Sequence, residues 1–167
     1  MEPHAARDST GDGTVEQARL FAMATMAAAD AIINTWDDKA FWNFWRPITA
    51  IRAGDADGNP ATAGDPGWIS QIPSPPYPDH PSGYTAVTTG MLLGAAEAMG
   101  TRHVDFTVQR SGTTTRLNYR HLDEAIRDVV DARVWLGIHF RTADVASMVL
   151  ARKVTHWLNK HYFQEAD

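Results

Sequence analysis

The chain has 167 residues, of which 44% are hydrophobic, and its formal net charge is -5 at pH 7. This length and composition are typical of one folded domain with a hydrophobic core, and they exclude a wholly disordered chain. The acidic balance argues against general nucleic-acid binding, which requires a basic surface. The sequence contains no cysteine, which excludes disulfides and thiolate zinc sites.

Targeting and membrane segments are not expected. Residues 1–13 are polar and lack the apolar core of a signal peptide, and we predict a disordered lead-in there. The sequence has no run of about 18 apolar residues, so no membrane span is predicted. Residues 14–167 are predicted to form a single helical domain of a soluble protein, with the cytoplasm as the default compartment.

The spacing of apolar residues predicts an all-α fold, a bundle of about five main helices with one short β-hairpin near residues 104–117. Thr14 begins a capping-box pattern and is the expected N-cap of the first helix, and Thr142 is the expected N-cap of the last. Pro47 is expected to kink or interrupt the second helix. The five helices are predicted at residues 14–35, 37–52, 82–99, 121–137 and 142–162.

Lys39 and Arg46 are the first candidate site residues. They are seven positions apart, nearly two helical turns, so both are predicted to project from one helix face among aromatic side chains. Cations beside so much apolar surface either bind an anion or extend outward to water, and both interpretations are open. Asp30, inside the preceding apolar run, is either a surface carboxylate or a buried partner for an arginine of the site.

A long loop leads to the second candidate. Residues 53–80 are rich in Gly, Pro, Asp and Ser, and irregular loops of this length in compact domains are usually functional. Ser82 and Gly83 then open a predicted helix, whose free N–H groups and positive dipole end suit a phosphate-like anion. The alternative for Ser82 is plain N-capping. Tyr84 is expected on the first turn, facing the same site.

Arg133 and His139 form the third candidate. Arg133 is always charged, and its planar guanidinium matches an oxyanion. His139 follows the fourth predicted helix, where it either attacks phosphorus, coordinates a metal oxyanion, or has a structural role through backbone hydrogen bonds. Asp144, five residues on, either orients the imidazole or is a first-turn helix acid.

The three stretches together resemble the signature shared by the vanadium-dependent haloperoxidases and the type-2 phosphatidic acid phosphatases. That pattern is Lys, six residues, Arg-Pro; then Pro-Ser-Gly-His; then Ser-Arg, five residues, His, three residues, Asp. The matching residues here are Lys39, Arg46, Pro47, Pro81, Ser82, Gly83, Arg133 and His139. The chain departs from the pattern at Ala132 in place of Ser, at Tyr84 in place of His, and at Asp144, which comes one residue late. The resemblance covers about Ala18 to the C-terminus. Its residues look like those of the soluble bacterial haloperoxidase branch rather than those of the membrane phosphatases.

The resemblance implies a helical bundle that holds vanadate, or phosphate in its place. By that resemblance, His139 is the axial vanadate ligand, or the phosphoryl nucleophile of a phosphatase. Proton transfer falls to Tyr84 or His80, and a phenol with a pKa near 10 is a poor base at neutral pH. The residues implied to bind the oxyanion oxygens are Lys39, Arg46, Ser82, Gly83 and Arg133.

Three functions are open at this point. The leading hypothesis is a haloperoxidase that binds vanadate and oxidises a halide with hydrogen peroxide. The alternatives are an acid phosphatase with a phospho-His139 intermediate and a catalytically impaired phosphate-binding homologue, which Tyr84 favours. The expected partners are therefore small molecules: peroxide and halide, or a phosphate ester. Soluble members of the resembled family tend to be longer, so the apolar helix at 14–35 is expected to find a partner by homo-oligomerisation.

Overall fold

The computed structural model describes residues 12–163, with the backbone alone for Asp12. Over these residues the fold is mainly helical, as predicted, with four long helices, one six-residue helix and a two-stranded antiparallel hairpin. The predicted lead-in lies outside the described residues, except for its last two positions, which are helical. The elements are α1 (Asp12–Trp42), α2 (Pro47–Arg52), α3 (Gly83–Met99), β1 (His103–Gln109), β2 (Arg116–His121), α4 (Leu122–Trp135) and α5 (Arg141–Tyr162).

The first helix runs on past the break that the sequence pattern predicts near residue 36. Thr35 is fully buried, and its hydroxyl donates to the carbonyl of Ala31 at 2.8 Å, so its polar group is satisfied inside the helix. α1 ends instead at Trp42, because Asn43 takes a left-handed backbone conformation with φ of 42°. Thr14 lies inside α1, so its prediction as the N-cap is wrong.

The chain changes direction between Lys39 and Arg46. Residues 43–46 are not helical, and Pro47 occupies the first position of α2. An N–H at that position has no partner within the helix, so its absence in proline costs no hydrogen bond. Lys39 is therefore in the last turn of α1, and Arg46 is the N-cap residue of α2. The expectation that the two cations share one helix face is wrong, because they belong to two separate elements.

α1 and α3 pack backbone against backbone. A Cβ atom on Gly90 would lie 2.7 Å from the carbonyl oxygen of Ala27, and one on Gly94 would lie 2.5 Å from that of Met23, so only glycine fits at either position. The pairing is antiparallel, so the N-terminal turn of α3 lies beside the C-terminal half of α1. Three small buried residues join α1, α3 and α5: Ala31, Ala86 and Ala151.

The segment between α4 and α5 completes the framework of the site. Gly137 has a φ of 72°, and a Cβ atom there would lie 2.8 Å from the Trp68 ring of the long loop. Phe140 is the N-cap residue of α5, and Thr142 lies inside the helix, so the predicted cap is wrong. The long loop returns to the bundle at Asp79. Among the described residues, no helix is long and apolar enough to cross a membrane.

Candidate active site

A cavity of about 410 Å³ opens where α1, α3, the end of α4 and the long loop meet. This volume lies within the range of small-molecule sites in proteins, which are mostly apolar with a few placed polar groups. Lys39, Arg133 and His139 supply its charged and imidazole groups. The remaining lining residues are Ile32, Trp36, Ile72, Pro75, Tyr77, Gly83, Tyr84, Val87 and Ile138.

Lys39 and Arg46 are both buried, with 1% and 5% of their surface exposed, which excludes the interpretation that they extend outward to water. Lys39 Nζ donates to the carbonyl oxygens of Pro78 and Asp79 at 2.7 and 2.9 Å. Arg46 Nη1 donates to the carbonyl of Ile138 at 2.7 Å. Burial and, to a smaller extent, the neighbouring Arg46 guanidinium lower the pKa of Lys39 to about 8, against the opposing effect of the Asp79 charge.

His139 is buried between an acid and a cation. Its Nδ1 lies 2.6 Å from Asp79 Oδ1, and its Nε2 lies 3.3 Å from Arg46 Nη1. Burial lowers the pKa of His139, while the contact with Asp79 opposes that shift. Because a guanidinium can only donate, we infer that Nε2 accepts and that Nδ1 carries the proton of the neutral ring. His139 therefore holds a lone pair on Nε2.

Asp79 is the site residue that sequence reasoning missed. It is completely buried, and its Oδ1 lies 3.9 Å from Arg46 Nη1 as well as close to the imidazole of His139. Its only sequence signal is an acidic residue in a proline-rich segment, directly before His80. A charged residue in a loop is ordinarily solvated, so this signal does not stand out without the tertiary structure.

Asp144, in the first turn of α5, is bound to α3 and forms no ion pair with His139 in the described structure. Its Oδ1 accepts a hydrogen bond from Thr85 Oγ1 at 2.6 Å, and that hydroxyl in turn accepts one from Ser82 Oγ at 3.2 Å. Burial raises the pKa of Asp144, and these hydroxyls oppose the shift. Ser82 is the N-cap residue of α3 but makes no side-chain capping bond, so plain N-capping does not describe its hydroxyl.

Arg133 and Tyr84 face each other across the cavity. The guanidinium carbon of Arg133 lies 5.2 Å from the centre of the Tyr84 ring, within cation–π range. The Nε of Arg133 is buried without a hydrogen-bond partner in the described part of the chain. Tyr84 is 60% exposed. Gly83 lies close by, where a Cβ atom would be 3.0 Å from Ile32 Cδ1.

Two of the sequence-predicted residues lie apart from this cluster. The ring of His80 meets Trp42 edge-on, with 5.9 Å between ring centres, and His80 does not line the cavity. Asp30 is half-buried on α1 and forms no ion pair within residues 12–163, so it is not the buried partner of a site arginine. Asp79 has that position instead.

The arrangement suits an oxyanion better than a bare metal cation. Lys39, Arg46 and Arg133 bring three positive groups to one small region, and the N-terminus of α3 adds its positive dipole end. Among the described residues, no group of three His, Cys, Asp or Glu side chains could hold a metal ion directly. A multiply charged oxyanion would compensate the positive charge of the buried cations, and it would accept a hydrogen bond from Arg133 Nε.

Comparison with known proteins identifies the family and the fold of the chain. A family model described as the VCPO second helical-bundle domain matches residues 19–166. The chain belongs to this family. Members of the VCPO second-domain family thus share the helical bundle that the sequence resemblance implied. Over 77 residues the chain is also 40% identical to the vanadium chloroperoxidase of Curvularia inaequalis, a match that covers 40% of this chain and 12% of that protein.

Solved structures share the fold of this VCPO-type domain. A bacterial vanadium-dependent iodoperoxidase superposes on 87% of the chain with a TM-score of 0.74 and 23% identity. The holo form of a bacterial vanadium-dependent chloroperoxidase superposes on 83% with a TM-score of 0.68 and 20% identity. An apo form superposes on 92% with a TM-score of 0.75 and 18% identity. The chain covers 33%, 34% and 38% of those chains, about one third of each.

Proposed function

We propose that this domain binds vanadate and catalyses halide oxidation by hydrogen peroxide. The observation that supports the proposal most is the buried His139, with its Nε2 lone pair beside Arg46 and its ring in the wall of a cavity that Lys39 and Arg133 also line. This combination provides one nitrogen ligand and several cations for a single oxyanion. The family of the domain is consistent with it.

The residues present fit a vanadate group. The unpartnered Nε of Arg133 supplies a free donor, and the absence of a side chain at Gly83 lets an anion approach the first turn of α3. In this proposal His139 Nε2 would hold the vanadate group. Bound vanadate would supply a Lewis acid that activates peroxide toward a halide. The oxygens would be held by Lys39, Arg46, Ser82, Gly83 and Arg133.

Other residues of the site have electrostatic and proton-transfer roles in this proposal. Lys39 and Arg46, fixed to loop carbonyls, hold positive charge in a buried region, where it acts more strongly than in water. Trp36 and Val87 contribute apolar surface to the cavity that Lys39 also lines. Tyr84 is placed to donate a proton at the cavity, although a phenol is a weak base at neutral pH.

The test is halide oxidation by the purified chain, with vanadate removed and then restored. We expect peroxide-dependent bromide oxidation that requires vanadate and is lost in His139→Ala. His156→Ala is the matched control, because that imidazole is exposed on α5 and away from the cavity, and it is expected to behave as wild type.

Three results would contradict parts of this proposal. Bromide oxidation that ignores added vanadate would exclude vanadium catalysis. Hydrolysis of a chromogenic phosphate ester that depends on His139, in the absence of halide oxidation, would establish the phosphatase alternative. Failure to bind vanadate or phosphate by calorimetry would exclude the oxyanion site altogether.

Self-association is a second element of the proposal. α1 carries large apolar side chains that are mostly exposed, with 66% exposure at Phe21, 64% at Ile33 and 77% at Phe41. Exposed apolar patches of this kind are typical of interaction surfaces. We expect a homo-oligomer in solution, and a monomer at all concentrations by light scattering would contradict it.

A further inference from the structure

Two buried carboxylates, Asp79 and Asp144, interact electrostatically with His139, and the sequence motif points to Asp144. In the haloperoxidase and phosphatase pattern the acid follows the histidine after three residues, whereas Asp144 follows it after four. One extra residue on a helix rotates the side chain by about 100° around the axis. Asp144 contacts α3 instead, where its carboxylate accepts a hydrogen bond from the Thr85 hydroxyl.

Asp79, from a different part of the chain, is the carboxylate in contact with His139. Its Oδ1 is 2.6 Å from His139 Nδ1, and both side chains are almost completely buried. Its backbone is fixed on both sides, since its N–H donates to the carbonyl of Phe44 at 2.9 Å and its own carbonyl accepts from Lys39 Nζ at 2.9 Å. The carboxylate is therefore held in one place relative to the ring.

The contact is short but not well aligned, since neither atom has a hydrogen bond of good geometry within the described residues. The other ring nitrogen gives an independent indication of the tautomer. Arg46 Nη1 can only donate, so Nε2 accepts and Nδ1 carries the proton. The two contacts thus agree that Nδ1 carries the proton.

We infer that Asp79, and not Asp144, is the positioning residue that fixes the tautomer and orientation of His139. It accepts Nδ1–H and so keeps the lone pair of the ring on Nε2, the nitrogen proposed to hold the oxyanion centre, as carboxylates do for metal-ligating histidines. The tautomer follows from this chain's own geometry. The consequence for vanadate affinity rests on the proposed function.

The experiment combines nitrogen NMR of the histidine rings with vanadate calorimetry. In wild type, the His139 signals, assigned by their loss in His139→Ala, are expected to report a neutral ring protonated at Nδ1. Asp79→Asn introduces an amide that can donate to Nδ1, so the proton is expected to move to Nε2. Vanadate affinity is then expected to fall about 10- to 100-fold. Asp144→Asn is expected to keep the Nδ1–H tautomer, and Asp30→Asn to leave affinity unchanged.

A wild-type ring protonated at Nε2 would overturn the inference, and so would a tautomer change in Asp144→Asn with none in Asp79→Asn. If Asp79→Asn does not fold, Asp79→Glu keeps a carboxylate at the position and is expected to retain the Nδ1–H tautomer; loss of that tautomer in a folded Asp79→Glu would contradict the inference. If wild type binds no vanadate, the proposed function fails, and the ring signals of these variants still decide the role of Asp79.

Discussion

Raising the pH from 8 to 9.5 should weaken oxyanion binding through Lys39. Burial and the Arg46 charge lower the pKa of this lysine to about 8, from an ordinary value of 10.5. The free site therefore loses its proton as pH rises through 8, and an anion binds best to the protonated form. With a pKa of about 8, roughly half of the lysine is charged at pH 8 and about 3% at pH 9.5, which predicts an affinity loss of about 15-fold.

The assay is calorimetric titration with inorganic phosphate, which keeps its charge over this pH range. Lys39→Met is the matched variant, because it keeps most of the length of the unbranched side chain and removes the charge. We expect its affinity at pH 8 to be at least about tenfold lower, from the loss of a charge-assisted hydrogen bond. Its affinity should also be nearly constant up to pH 9.5. A flat wild-type profile, or an equal decline in Lys39→Met, would refute the reasoning.

Two further predictions concern the helix crossing and the proton donor. Gly94→Ala should lower the free energy of unfolding in urea, because its Cβ would lie 2.5 Å from a carbonyl oxygen of α1; overpacking costs about 1–3 kcal/mol, against a gain of about 1 kcal/mol in helix propensity. Gly13→Ala, with no atom within 4 Å of its Cβ, is the control and should not be destabilised. Tyr84→His should raise halide turnover, because imidazole is the better base near neutral pH; unchanged turnover would assign proton transfer to another group.

The sequence predicted the helical class and the family, and both are confirmed. The predicted start of α3 at Ser82 and its stop at Gly100 agree with the structure, where Gly100 has a φ of 68°. These are local signals, because a left-handed backbone at a helix end favours glycine whatever packs around it. The N-caps expected at Thr14 and Thr142 are wrong, since capping residues are also tolerated inside helices.

The sequence gives the spacing of Lys39 and Arg46 along the chain, but it does not predict how close the two side chains lie in space. Lys39 and Arg46 come together because the chain turns at Asn43, and no periodicity predicts a left-handed residue at that point. The packing of α1 on α3 further sets where the first turn of α3 lies relative to Lys39. That relation depends on close backbone contact at Gly90 and Gly94, over long sequence separation.

Sequence alone determined the inventory of this site: three cations, a helix start with Ser82 and Gly83, and one histidine at a fixed spacing from Arg133. Tertiary structure decided which acid meets that histidine. Asp144 has the better sequence position, but its place on α5 turns it toward Thr85, whereas Asp79 is held against the ring by the path of a long loop. The physical reason is that side-chain direction on a helix follows from local geometry, while a loop residue is positioned by the distant groups that bind its backbone.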